Sequence, residues 1–412
     1  MRRVLIVAYY FPPLGGIGSL RVTGFATHLP EFGWEPVVLA PRQGAYQHDP
    51  ELSFPEERVV RSGSLELSRA GKRMLRTGGD DVRPAQVSGV RAGLRGAARA
   101  IVYHPDPQVG WYVPAVLAGR RELRRKPADA ILSSSFPITA HLVARRLQRA
   151  TGLPWVADFR DPWSEMRPAG IARRRAARLE RKLARAASAV TMTSPSWAER
   201  HAELWDRPVQ VMPNGHELDA APAPPSDELV VSYLGSYYPE TQDLSAAWAA
   251  IHRLVDDGVA IDRIRFIGTL HPALRAQLAD VGLTTRVEET GFVSHGEAIG
   301  HLRRSSVLLL AGPRDAGGIL RGQVAGKLTE YLASGLPIVY VGDLDCDAAA
   351  LLRSQPGCHV HATDDVDGIA RALAQCPGRL HARDMDRLSR RAVTGRLAKL
   401  LDDLTTDGKQ SP

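Results

Sequence analysis

GKLTEYLASGLPIVYV, residues 326–341, predicts a helix that is followed at once by a buried strand. Apolar residues recur at helical spacing as far as Leu332. Gly335 suits the left-handed position after a helix, and Pro337 prevents the helix from continuing. The β-branched run that follows is typical of an internal strand in a parallel sheet. The segment therefore predicts one β/α unit of an α/β domain.

Two charged residues mark the beginning of this predicted helix. Lys327 and Glu330 are three residues apart, so they share one face at its N-terminal end. That end carries free N–H groups and the positive end of the helix dipole, which makes it a natural seat for a diphosphate. The alternative for these two residues alone is an ordinary surface Lys–Glu pair.

The rest of the chain repeats this alternation of strand-like and helical patterns in two blocks, which predicts two doubly wound α/β domains with parallel sheets. A length of 412 residues also exceeds the size at which one core divides. We expect a first domain over 1–215, a linker over 216–228 that contains a proline-rich run, a second domain over 229–385, and a C-terminal helix and frayed tail over 386–412. Strands are predicted at 4–8, 36–39, 130–132, 155–157, 189–191, 209–212, 230–234, 264–267, 285–288, 307–310 and 338–341.

Composition excludes several classes of protein. Cys346, Cys358 and Cys376 form neither a CxxC pair nor a Cys/His cluster, which argues against a disulfide framework or a zinc site and fits a reducing cytoplasm. No apolar run reaches the roughly 20 residues that a membrane-spanning helix needs. The N-terminal apolar run is short and passes into a proline-glycine loop, so we interpret it as the first strand rather than a signal peptide.

Charge is unevenly distributed along the chain. Residues 1–215 carry a net charge of +14 and residues 216–412 a net charge of −6, so we expect the first domain to meet an anionic partner. Arginines flank an apolar stripe over 173–185, which indicates an amphipathic basic helix that could contact an anionic membrane at the inner face of the cell membrane. A second basic stripe is formed by Arg91, Arg95 and Arg99. A simply solvated helix face is the alternative, and the absence of an aromatic-interleaved groove disfavours nucleic acid.

A further candidate site follows the strand predicted at 155–157. Asp158, Arg160, Asp161 and Trp163 come where that strand ends, and ligands of open α/β sheets bind at this edge. The alternative is an Asp–Arg network that only fixes the turn. The glycines at 15–18 follow the first strand, but their spacing does not fit a dinucleotide fingerprint and no carboxylate ends the second strand.

The segment 326–339 resembles the donor-site signature of retaining glycosyltransferases of the GT-B type, in the subgroup of the large fourth family that reads GKxxEYLAxGxP. YFPPLGG at 10–16, DFRDPW at 158–163, VSYLGS at 231–236 and GFVSH at 291–295 resemble further elements of this family, and the resemblance spans residues 4–401. It implies the GT-B fold, in which two Rossmann-like α/β domains with parallel sheets face a central cleft. The first domain would bind the acceptor, and the second domain would bind a nucleoside-diphosphate sugar.

The resemblance also implies roles for individual residues. Glu330 would bond the nucleotide ribose, and the backbone of Phe292 and Val293 would read the base. Asp158 and Asp161 would bond acceptor hydroxyls, with Trp163 offering a face to a sugar ring and His141 at an acceptor-site position. Glu330, Lys327 and Asp161 are the predicted catalytic group, and the donor-binding set is Gly15, Gly16, Gly235, Phe292, Val293, Arg314, Arg321, Lys327 and Glu330.

Two departures from the family pattern stand out. Tyr237 and Tyr238 follow Gly235 where arginine and lysine are usual, so Arg314, Arg321 and Lys327 would supply the positive charge. Retaining members commonly have two glutamates, of which Glu330 matches the second. The first, which contacts the transferred sugar, is replaced here by Gly322, and Asp315 is the candidate substitute.

The predicted activity is retaining glycosyl transfer without a metal or another cofactor, because no Asp-x-Asp triplet lies at a plausible donor loop. The donor's own leaving phosphate would take the acceptor proton, and the acceptor would be a sugar, a lipid-linked saccharide or a small molecule. Two other functions fit the same fold. One is a nucleotide-sugar epimerase, which would need acidic residues around the sugar, and the other is a non-catalytic nucleotide-sugar-binding partner of another transferase.

Overall fold

The computed structural model describes residues 1–42, 49, 52–65, 104–218, 229–315, 317–376 and 380–407. The chain divides into two compact units. The first unit consists of Met1–Met192, Ala198–Met212 and Thr394–Pro412, and the second of Thr193–Trp197 and Pro213–Val393. Most of the predicted linker and the basic stripe at 91–99 lie outside the described residues, and the predicted C-terminal segment is shared between the two units.

The first unit contains a parallel sheet of seven strands in the order β3-β2-β1-β4-β5-β6-β7. The buried, largely apolar residues of β1, β2 and β4 are typical of internal strands that are covered on both faces. The strand order reverses between β1 and β4, so the loops after these two strands diverge at one point of the carboxyl edge. The strands are β1 (Arg2–Val7), β2 (Trp34–Pro41), β3 (Val59–Ser62), β4 (Ala130–Ser134), β5 (Trp155–Arg160), β6 (Ala189–Met192) and β7 (Gln210–Val211).

Helices accompany these strands in alternation. Helices α2, α3 and α4 follow one another along the chain, with α3 in contact with both of the others and α2 packed on β2 and β3. The last helix, α12, joins this unit through the Arg2–Asp402 ion pair and the bond from Trp34 Nε1 to Asp402. The helices are α1 (Ile17–His28), α2 (Tyr112–Arg125), α3 (Thr139–Thr151), α4 (Ile171–Ala186), α5 (Pro195–Trp205) and α12 (Arg390–Asp407).

The second unit contains a parallel sheet of six strands in the order β10-β9-β8-β11-β12-β13. The order reverses between β8 and β11, which are paired through Val307 and Val231. The strands are β8 (Val230–Leu234), β9 (Arg263–Ile267), β10 (Val287–Glu289), β11 (Val307–Ala311), β12 (Ile338–Val341) and β13 (Cys358–His361). The helices are α6 (Ser245–Asp256), α7 (Pro272–Asp280), α8 (His295–Arg303), α9 (Lys327–Ala333), α10 (Asp347–Arg353) and α11 (Val366–Gln375).

The segment that predicted the fold has the expected structure. Helix α9 ends at Ala333, Gly335 follows with a left-handed φ of 72°, and β12 begins at Ile338. Leu328, Tyr331 and Leu332 are buried in the hydrophobic core of the second unit. The prediction of two parallel-sheet Rossmann-like domains is confirmed.

Some details differ from the sequence-based expectation. Strands β3 and β13 were not predicted, because they are half-buried edge strands without a continuous apolar run. Helix α1 begins at Ile17, directly after Gly16. Within the described residues, no helix combines the length and the apolar character that crossing a bilayer requires.

Candidate functional site

The carboxyl end of β8 is fastened to helix α9 by two side chains of that helix. The Lys327 ammonium donates to the carbonyl oxygen of Leu234, and the Leu234 N–H donates to the Tyr331 hydroxyl at 2.8 Å. Lys327 and Tyr331 are four residues apart, so they lie on one face of α9. Both the N–H and the carbonyl oxygen of Leu234 are therefore bonded to the helix. Because Leu234 is held in this way, the loop that begins at Gly235 (φ 84°) starts from a fixed position.

The ammonium of Lys327 lies in a largely apolar setting. Its Nζ is 3.7 Å from the centre of the Tyr233 ring, which provides a favourable cation–π contact. Burial lowers the pKa of Lys327 to about 7, because the charged form loses hydration. An anionic group placed here would restore the charged state of Lys327.

Glu330 lies one turn further along α9 and is 4% exposed. Its Oε1 is 3.4 Å from Nη2 of Arg390 and 3.5 Å from Nε2 of His295. Burial raises the pKa of Glu330, while His295, Arg390 and His216 oppose that rise. Three basic side chains from separate parts of the chain thus surround one carboxylate.

His295 connects Glu330 to the loop that the sequence predicts as the base-reading element. Ser294 caps helix α8 by accepting from the Glu297 N–H at 3.2 Å, and the Glu297 side chain accepts from the Ser294 N–H at 2.9 Å. The two residues before this cap are Phe292, which is 61% exposed, and Val293. They lie three and two residues before His295, the side chain that approaches Glu330.

The two predicted donor arginines lie on the segment between β11 and α9. Arg314 donates to the carbonyl oxygen of Pro239 at 2.8 Å, in the loop after β8. Arg321 pairs with Asp345 at 3.0 Å, and both side chains are exposed. Asp315 accepts from the Gly317 N–H at 2.8 Å, so its carboxylate shapes its own loop.

Position 322 has no room for a side chain. A Cβ on Gly322 would lie 2.3 Å from Cδ1 of Trp197, a residue of the second unit. The Trp197 indole N–H donates to the carbonyl oxygen of Ile319 at 2.6 Å, which fixes the ring in place. The absence of a glutamate at 322 therefore has a steric reason, because the indole occupies the space that the side chain would need.

In the first unit, Gly15 and Gly16 lie in the loop between β1 and α1. A Cβ on Gly15 would lie 3.1 Å from Cβ of Asp49, and Gly16 has a φ of 92°, so both positions favour glycine. A Cβ on the nearby Gly18 would lie 2.7 Å from Nη1 of Arg160, whose own φ is 58°. The loop after β1 and the end of β5 thus lie together at the carboxyl edge of the sheet.

Asp158 is a buried member of an ion-pair network. It receives two bonds of 2.9 Å from Arg21 and bonds of 2.8 Å from Ser134 and Thr191. These bonds and the Arg21 charge outweigh the effect of burial and lower the pKa of Asp158. Its oxygens are used within the protein, which favours the turn-fixing alternative over the predicted acceptor contact.

Asp161 and Trp163 follow β5 in a tight turn. The Asp161 N–H donates to the carbonyl oxygen of Phe159 at 2.6 Å, and its side chain is partly exposed. Trp163 is only 4% exposed, and the Arg167 guanidinium lies 4.7 Å from its ring centre. The predicted sugar contact therefore suits Asp161 better than Trp163, whose ring is already covered.

The acceptor contact predicted for His141 does not fit the position of this side chain. The side chain is fully buried between Ser133, 2.7 Å from Nδ1, and the Phe159 ring, 4.4 Å away between centroids. Burial lowers the pKa of His141 to about 3. The residue is a neutral part of the core.

Sequence reasoning missed Arg390 and His295 as partners of Glu330. His295 follows directly after the GFVS run, so its proximity to a recognised loop was the available signal. Arg390 is 60 residues from Glu330, and no local pattern indicates such a pairing. Among the described residues, no group of three His, Cys, Asp or Glu side chains is arranged to hold a metal ion.

Comparisons with known proteins agree with this architecture. Residues 15–215 match the model of the glycosyl transferase 4-like domain, and residues 228–377 match the model of glycosyl transferases group 1. A sequence search of curated proteins gives no significant match.

Solved structures of similar fold include sucrose-phosphate synthase from Thermosynechococcus elongatus, with 13% identity, 100% of this chain and 98% of that chain covered, and a TM-score of 0.59. Anabaena HepE in complex with UDP and glucose has 14% identity, 100% and 99% coverage, and a TM-score of 0.58. The lipopolysaccharide outer core galactosyltransferase WaaB has 12% identity, 99% coverage of both chains, and a TM-score of 0.54. At these identities the likeness shows a shared fold. The two successive domain matches identify residues 15–215 and 228–377 as glycosyltransferase domains, and the solved structures show that the chain has the GT-B fold.

Proposed function

We propose that the protein is a retaining glycosyltransferase that uses a nucleoside-diphosphate sugar as donor. The observation that carries this proposal is the placement of Lys327 and Glu330 on α9 beside the strand-order reversal between β8 and β11. Ligands of open α/β sheets bind at such a reversal. The HepE structures were determined with UDP, with UDP and glucose, and with UDP-glucose, which supports a donor of this class for the present chain.

Each group near α9 has a distinct task in this proposal. Glu330 accepts the ribose hydroxyls, held by Arg390 and His295. The backbone of Phe292 and Val293 pairs with the base. Lys327 stabilises the diphosphate with its positive charge, which burial in the free protein disfavours. Arg314 and Arg321 add hydrogen-bond donors to the diphosphate.

The reaction then needs little acid–base chemistry from the protein. The bond between the anomeric carbon and the leaving phosphate oxygen breaks, the acceptor oxygen forms a new bond on the same face, and the acceptor proton passes to the leaving phosphate. Lys327 and the arginines stabilise the negative charge that develops on that phosphate, so we propose a metal-independent transfer. In the first unit, Asp161 and the Gly15–Gly16 loop are the proposed contacts for acceptor and donor.

A binding experiment tests the donor assignment. Replacing Glu330 with Gln should weaken UDP binding at least about tenfold, because charge-assisted hydrogen bonds to the carboxylate become weaker bonds to a neutral amide. Calorimetry measures the affinity, and Asp280→Asn, at an exposed site at the end of α7, is the matched control. Unchanged UDP affinity in the Glu330→Gln protein, with the same unfolding midpoint as wild type, contradicts the assignment.

A turnover experiment separates transfer from the two other functions. The protein is incubated with a panel of nucleotide sugars, with and without candidate acceptor sugars and lipid-linked saccharides. Free nucleotide released together with an α-configured product from an α-donor supports retaining transfer. An isomerised donor indicates an epimerase, and donor binding without any turnover indicates a non-catalytic partner.

A further inference from the structure

Helices α2, α3 and α4 form a layer of the first unit whose outward charge has a single sign. Helix α3 contacts both α2 and α4, and the Gln148 side chain of α3 donates to the carbonyl oxygen of Ala186 at the end of α4. The two acidic residues of these helices, Glu122 and Glu180, are both buried. Exposed basic residues of the layer are Arg121, Arg124, Arg125, Arg146, Arg149, Arg174, Arg175, Arg178, Arg181, Lys182 and Arg185.

Because both carboxylates are buried, the two acidic residues of these helices neutralise only a small part of this charge. Glu122 bonds Arg3 at 2.6 Å in the interior of the unit and Arg125 at 3.1 Å. Glu180 accepts from the hydroxyl and the N–H of Ser164. At the end of α4, Arg185 pairs with Asp206 at 2.8 Å. Arg178, Arg181 and Lys182 line one open depression with Arg185, and they lie on one face of α4 because their spacing is helical.

Large apolar side chains are exposed on the same layer. Val113 and Leu117, four residues apart on α2, are 55% and 63% exposed. Ile171, the first residue of α4, is 69% exposed, and Met166 in the preceding loop is 52% exposed. This surface combines many cationic side chains with scattered aliphatic ones. Such a combination suits a bilayer interface, where anionic headgroups bind the cations and apolar side chains insert at the boundary of the acyl chains.

We propose that this layer, the α2–α4 face, docks on an anionic lipid bilayer. A nucleic acid is a poorer partner, because single-stranded binding uses exposed aromatic rings for stacking and the apolar residues of this face are aliphatic. The inference goes beyond the proposed transfer reaction, and it stands on the charges and exposure of the first unit alone. It also places the first unit where a lipid-linked acceptor would be presented, a consequence that rests on the proposed function.

Vesicle sedimentation of the full chain tests the proposal. The wild-type protein should sediment with vesicles of phosphatidylcholine and phosphatidylglycerol, and remain in solution with phosphatidylcholine alone. The triple variant R178E/R181E/K182E should bind the anionic vesicles at least about tenfold more weakly, since each basic residue near an anionic surface contributes to attachment. The control is R353E/R371E/K399E, which makes the same change in net charge at exposed positions elsewhere.

Further measurements distinguish a lipid bilayer from a nucleic acid as the partner, and the α2–α4 face from the donor site. V113S/L117S should also weaken vesicle binding while leaving any binding to a duplex oligonucleotide unchanged. UDP affinity should be the same in wild type and in R178E/R181E/K182E, so loss of vesicle binding is distinguishable from loss of the donor site. The proposal is overturned if the wild type ignores anionic vesicles, if the control triple loses as much binding, or if the α4 triple loses only oligonucleotide binding.

Discussion

At the scale of single residues, Lys327 shows how burial changes the protonation of a lysine. The ammonium donates to a carbonyl oxygen and lies over an aromatic ring. Its pKa of about 7 means that the free protein has this lysine half-protonated near neutral pH. A bound diphosphate would favour the protonated form and raise this pKa, so binding and protonation are thermodynamically linked.

The linkage has a measurable sign. Above pH 7 the free Lys327 is mostly neutral, so UDP binding should take up a proton and the affinity should fall by up to about tenfold per pH unit between pH 7 and 9. Below pH 7 the lysine is already charged and its contribution is constant. Calorimetry in buffers of different ionisation enthalpy measures the number of protons taken up when UDP binds. Lys327→Met should bind weakly without this uptake, and identical proton uptake in both proteins would refute the role of Lys327.

At the scale of elements, helix α9 organises the site because its two ends are fixed by different means. At its N-terminal end, Lys327 and Tyr331 bond Leu234, the last residue of β8. At its C-terminal end, Gly335 takes a left-handed conformation, which turns the chain into β12. The position of Glu330 between these two ends therefore depends on both the strand and the turn.

Substitution of two glycines tests the importance of this turn. Gly335→Ala should destabilise the protein by about 1–2 kcal/mol, because a residue with a Cβ is strained in the left-handed region. A Cβ there would also lie 3.2 Å from the carbonyl oxygen of His381. Gly300→Ala, inside α8 with only Arg304 Nη1 within 4 Å, should instead stabilise by about 0.5–1 kcal/mol. Urea unfolding measures both, and equal effects of the two changes would argue against a conformational role for Gly335.

At the scale of the whole molecule, buried carboxyl groups give stability a distinctive pH dependence. Burial raises the pKa of Asp106 to about 6 and that of Glu180 to about 7. For Glu180 the folded-state pKa lies above the ordinary value of 4.5, so its contribution to stability is fully present below pH 4.5. That contribution declines as the pH rises through 7, because the folded protein must then bury a charge.

Glu180→Gln isolates this effect. Relative to the wild type, the variant should gain roughly 3 kcal/mol of unfolding free energy between pH 4.5 and pH 8, since one unit of pKa shift corresponds to about 1.4 kcal/mol. Urea unfolding at several pH values measures the difference, and Asp106 cancels in the comparison. A constant difference across this range would show that Glu180 titrates at its ordinary pKa in the folded state.

The sequence predicted those parts of the structure that local patterns determine. The bounds of β8 and β12 were predicted to the residue, because each strand is a short run of β-branched, aromatic and aliphatic residues, broken only by Ser232 in β8. Glu330 and Lys327 were recognisable from their spacing on one helix. The partners of Glu330 were not, because Arg390 reaches it from another part of the chain. Likewise, no pattern around Asp158 or His141 revealed that both are buried within the first unit.

The contact between Trp197 and Gly322 couples two positions that lie far apart in sequence. An acidic residue introduced at 322 would collide with the indole, and a smaller residue at 197 would leave an unfilled space beside a glycine. Libraries that vary one position at a time would therefore score both positions as intolerant. Any variation of position 322 therefore requires residue 197 to be randomised together with it.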